Sequence, residues 1–169
     1  MPTRASLATI PRYGLKGNPF IKSVTSSITQ TAAPAGRSYC LVKLVWVWGK
    51  PGTQQNITIA VGLPLNPADG GSGGLVGAWN GRTEGLGGGV CAGTLTVDPA
   101  VNDGYVGSGT DGGHPLGSLA PFHDCATWVN TNGTYDIEHI EDFFRVGIKQ
   151  EILWSKAIAR LLLPAHPGP

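Results

Sequence analysis

The residues best equipped for chemistry stand in a row, His123-Asp124-Cys125. A thiol, an imidazole and a carboxylate are the parts from which a thiolate nucleophile is built. Adjacent residues of a strand point to opposite faces, however, and a nucleophile's base normally lies far away in sequence. His114 and His139 are available for that role, but nothing around Cys125 matches a nucleophile signature. A structural thiol beside a surface histidine is the expected reading, and a thiol-dependent hydrolase is the least favoured. A metal site drawn from His114, His123, His139 and Asp111 or Asp124 has suitable ligand types but no compact ligand spacing. The three cysteines, Cys40, Cys91 and Cys125, are too few and too scattered for a disulfide framework. No catalytic residue, cofactor or metal is assigned, and the chain is expected not to be an enzyme.

The glycines invite a ligand-cradling reading and do not sustain it. Most of the 26 lie between Leu63 and Pro121. There is no GxxxxGK[ST], and no GxGxxG between a strand and a helix, so a phosphate-cradling loop is unsupported. Gly107-Ser-Gly-Thr-Asp-Gly-Gly has the glycine and aspartate of calcium-binding nonapeptides, but those need stacked copies. A flexible loop is expected there. The stretch as a whole predicts long, weakly charged connections between strands, better suited to contact than to catalysis. On that view Leu75, Leu86 and Val106 belong to an interface, and charged substitutions at them impair assembly or folding.

The elements that would position these residues are mainly β. Tyr39-Cys-Leu-Val-Lys-Leu-Val-Trp-Val-Trp is almost continuously apolar, which predicts a strand covered on both faces. Gly49-Lys-Pro-Gly marks a turn, and Gln54 to Val61 alternates like a half-buried strand, so 39–61 reads as a hairpin. Short β candidates follow at 74–79, 89–97 and 104–106. Asn132-Gly133 predicts a second hairpin turn within 122–135. Ile137, Ile140, Phe143 and Phe144 recur at helical spacing after a run of acids, which predicts a short helix over 136–146. Residues 148–163 fit either an amphipathic helix or buried strands.

Charge is sparse and segregated. Only 14% of residues are charged, well under the usual quarter. Residues 1–68 hold seven Lys and Arg and no acid, whereas the remainder holds eleven acids against five bases. A basic segment of this kind suits nucleic acid, an anionic membrane surface or the acidic part of a neighbouring subunit. Residues 1–38, punctuated by Pro2, Pro11, Pro19 and Pro34, read as an extended arm with one strand near 21–29. Its candidate contact residues are Arg4, Arg12, Lys16 and Lys22. No apolar stretch follows Met1-Pro-Thr-Arg, and none approaches 18 residues, so neither a secretory signal nor a transmembrane segment is expected. Asn56-Ile-Thr and Asn132-Gly-Thr are then chance matches to the glycosylation pattern.

Taken together, an arm over 1–38, strands over 39–61 and 125–135 and Gly/Pro loops between them resemble, in general character, the small single jelly-roll capsid proteins of bacterial or archaeal viruses. The resemblance implies a β-sandwich or jelly-roll barrel over 39–169. It also implies self-assembly into a virion layer with other subunits, without enzymatic activity or cofactor. Trp46 and Trp48, two apart on one strand face, and Trp79 are then core or interface residues. The alternative is a carbohydrate- or receptor-binding β-sandwich, with those tryptophans as stacking platforms.

Overall fold

The computed structural model describes residues 18–32, 36–50, 54–65, 79–88, 93–113 and 128–162. These form one five-stranded sheet with helices on both faces. The strands are β1 Ile21–Gln30, β2 Ser38–Trp48, β3 Gln55–Pro64, β4 Thr83–Leu86 and β5 Val106–Thr110. Their order across the sheet is β1-β2-β3-β5-β4, antiparallel except for the parallel β4–β5 pair.

The alternation of β2 and β3 sets the two faces. Val42, Leu44 and Trp46 of β2 share a face with Ile57, Ile59, Val61 and Leu63 of β3, and all are buried. Tyr39 and Ala60 point the other way, into a smaller cluster with Val97 and Val101. The continuous apolar run of β2 thus serves two cores, as its composition predicts. The hairpin pairs Trp48 with Gln55 at one end and Tyr39 with Pro64 at the other.

A short helix, α1 Asp98–Asn102, opens on Pro99 and covers the smaller cluster. Proline's fixed φ suits the first helical turn, where its missing N–H goes unneeded. The Asp98 carboxylate accepts hydrogen bonds from Tyr39 Oη at 2.7 Å and from the Ala32 N–H at 3.2 Å. It thereby ties the β1–β2 connection to α1.

The larger core is closed by one continuous helix. It comprises α2 Ile137–Glu141, a π turn at Asp142–Gly147 and α3 Ile148–Leu162. Asp136 caps its start, accepting the His139 N–H at 3.0 Å. Val146, Trp154, Ile158 and Ala159 pack onto the sheet. The sequence at 148–163, open to either element, is helical through Leu162, and the helix foreseen over 136–146 is its first part.

Three sequence expectations change. The Gly107 segment, expected as a flexible loop, is the buried strand β5 next to the sheet's centre. Its glycines are required because the chain at 93–97 lies directly on it: a Cβ at Gly109 would sit 2.5 Å from the Thr94 carbonyl oxygen. Residues 93–97 themselves make no strand, although the Thr94 N–H bonds the Thr110 carbonyl at 2.8 Å. The hairpin foreseen near Asn132-Gly133 reduces, among the described residues, to one antiparallel bridge between Val129 and Tyr135. The fold is mainly β with a C-terminal helix, but the faces of the sheet are covered by helices. The second packed sheet of a sandwich is absent among the described residues.

Candidate functional site

Strand β5 and the helix meet along a seam that gathers the buried polar groups. Val106, Ser108 and Thr110 point toward the helix, and Gly107 and Gly109 point away. Glu151 of α3 reaches across this seam, 5% exposed. Its Oε1 accepts a hydrogen bond from the buried Ser108 Oγ at 2.9 Å. Gly85 of β4 makes room for the same oxygen, since a Cβ there would lie 3.0 Å from it. Burial raises the Glu151 carboxyl above its ordinary range, and the Ser108 hydrogen bond offsets part of that. No ion pair reaches Glu151 among the described residues.

Glu151 also lines a pocket of about 250 Å³. Leu86, Phe143, Phe144, Ile148 and Thr110 supply most of the side-chain wall, and Gly87, Gly88, Gly93 and Gly112 supply backbone. The π turn shapes this wall. Gly112, at φ +61°, receives the Phe143 ring so closely that a Cβ would fall 2.7 Å from it. The Phe143 and Phe144 rings meet edge-on at 5.1 Å, and both contact Trp128. Single π turns inside helices frequently mark functional sites.

A second polar group lies at the far end of β5. Asp111 Oδ1 accepts the N–H groups of Thr58 at 2.8 Å and Gly113 at 3.0 Å, which fixes the turn after the strand. His139 Nε2 donates to the Gly113 carbonyl at 3.1 Å, since a carbonyl only accepts. Asp142, on the first turn of the π segment, is 1% exposed and neither carboxylate oxygen has a partner among the described residues. Burial pushes its carboxyl up to about 6, opposed by His139 and assisted by Glu138, Glu141 and Asp136. Burial also raises Asp111, against its hydrogen bonds. No cluster of three or more metal-ligating side chains occurs among the described residues.

The sequence candidates fall in different places. Val106 is fully buried and Trp46 is 7% exposed, so both belong to the chain's own core. Trp46 stacks on Phe20 at 5.4 Å and meets Trp154 at 5.9 Å, which leaves no open face for a sugar. Trp48 is 36% exposed beside Phe20. Trp79 is half-buried and donates its Nε1–H to the Arg82 carbonyl at 2.9 Å. Leu86 is half-buried at the pocket. Lys22 is exposed on β1, 3.4 Å from Asn56 Oδ1. Cys40 is a free, half-buried thiol that burial pushes up, hence poorly nucleophilic. Leu75, Arg4, Arg12, Lys16, His114, His123, Asp124, Cys91 and Cys125 lie outside the described residues. Sequence reasoning missed Glu151, Ser108 and Asp142. The only signal for Glu151 was an acid between apolar helical positions Ile148 and Ile152.

The outward side of the helix carries large apolar side chains beside the exposed Arg145, Lys149, Lys156 and Arg160. Ile137, Phe144, Ile148, Ile152 and Leu153 are each between 44% and 66% exposed. At the opposite edge of the sheet, β1 is ten residues long with Ile28 60% exposed. No helix among the described residues is long and apolar enough to cross a membrane.

No family model, no curated protein and no solved structure matches this chain.

Proposed function

We propose that this chain is a non-enzymatic structural subunit that associates with copies of itself, and that the assembly is a virion layer such as a capsid. The observation that carries the association is the exposed apolar row on the helix, from Ile137 through Leu153. Single exposed apolar side chains are ordinary, but a contiguous group of large ones marks a surface that is covered in use. The long edge strand β1 supports the same reading. Its first residues carry Lys22 and a bulge at Ile21/Ser23, both of which guard an edge, but the stretch Val24–Gln30 contains neither charge nor proline.

The virion assignment rests on the sequence character: a base-only first part, an acid-rich remainder and low overall charge. Subunits whose surfaces are covered by neighbours need less charge to stay soluble, and complementary charge fixes how neighbours meet. The jelly-roll form remains part of this proposal only as the family resemblance, because the described strands make a single helix-covered sheet.

The test is solution mass together with electron microscopy, on the wild type and on Phe144→Ser/Ile152→Ser. Both side chains are exposed, so the variant should keep its circular dichroism spectrum while association weakens at least tenfold. Association of the variant at wild-type strength would remove the helix face from the proposal.

A further inference from the structure

Glu151 is a buried carboxylate in the wall of an apolar pocket, and among the described residues it lacks a cation. Most of its own desolvation has been met on folding, so a cation entering the pocket adds only its own cost before the two attract at low dielectric. Phe143 and Phe144 stand in the same wall, and aromatic faces attract ammonium groups. A space of about 250 Å³ takes a four-carbon chain with an ammonium at its tip. The rim carries Phe144 and Ile148, two members of the exposed row.

The chain itself supplies such a group. Residues 1–68 hold lysines and arginines with no acid, while the pocket belongs to the acid-rich remainder. The geometry points to the pocket as a socket for a lysine side chain of a second copy, its ammonium bound by Glu151 and its methylene stem lying against Phe143, Phe144 and Ile148. This inference rests on the self-association reading and specifies the contact that directs it. The donor and the socket lie on different parts of the chain, so the contact either repeats reciprocally in a two-fold dimer or runs head-to-tail into rings or arrays.

The probe is n-butylammonium chloride, the side chain of lysine as a free ion, with 1-butanol as its neutral counterpart and potassium chloride as the ionic-strength control. Binding is read by amide chemical-shift titration of the full chain under dilute conditions, and association by sedimentation velocity. Saturable shifts at the pocket are expected with butylammonium, at least tenfold weaker with 1-butanol and at least tenfold weaker in Glu151→Gln. Butylammonium should also shift assemblies toward smaller species at concentrations where potassium chloride does not. Equal binding of butanol and butylammonium overturns the carboxylate's role without needing any variant. Glu151-dependent binding with no effect on association overturns the second copy as the source. Association without Glu151-dependent binding overturns the socket and leaves the self-association reading standing. A chain that stays monomeric at every concentration overturns that reading, whatever the titration shows.

Discussion

Three carboxyls, Asp111, Asp142 and Glu151, are buried and all have raised affinity for protons. Where a carboxyl titrates above its unfolded value, the fold holds a proton that the unfolded chain has already released, as Asp142 does at about 6. For Asp142, with a folded value of about 6 against an ordinary 3.8, stability is fully present below pH 4. It declines as pH rises through 6 and is lost above it. Thermal or urea melts between pH 4 and 8 should show this decline, of roughly 2–3 kcal/mol for Asp142 alone. Asp142→Asn should flatten that part of the profile, and an unchanged slope would show that the carboxyl is ionised in the fold at little cost. None of this was legible from residue types. Asp142 reads in sequence as one more acid near a helix start, where acids are favoured and solvated. It is buried because the π turn places it against Gly113.

At the scale of elements, local pattern was informative wherever a segment's own alternation decided its state. The β2–β3 hairpin and the helix beginning at Ile137 follow from periodicity, a turn and a run of acids. Strand β5 did not announce itself, because Gly-Ser-Gly carries no β preference and its place comes from neighbours on both sides. The backbone at 94–97 requires glycine on one face, and Glu151 uses the serine on the other. Gly109→Ala should therefore cost about 1–3 kcal/mol, since the obstacle is backbone and cannot rotate away. Gly87→Ala meets nothing within 4 Å and should stay within about 0.5 kcal/mol of the wild type. Chemical denaturation of the two variants side by side checks the claim, and equal costs would contradict the packing of 93–97 on β5. Val106→Asp, at a fully buried position, should prevent folding and not merely weaken association.

For the whole molecule, charge segregation was plain in the sequence, whereas the surface it serves was not. Candidate contact residues chosen for being apolar and near glycines divided between core, as with Val106 and Trp46, and pocket, as with Leu86. The exposed row on the helix was hidden because Ile148, Ile152 and Leu153 look equally like core residues until the sheet's position is known. Only then does it emerge that Trp154 and Ile158 face inward and that Ile152 and Leu153 do not.

The central claim is that this surface is covered by other copies of the chain. Sedimentation equilibrium of the full chain over a wide concentration range, from well below micromolar upward, tests it most directly. The expected result is a mass that climbs above the 17.5 kDa of one chain as concentration rises. A mass that stays at one chain throughout would contradict the account.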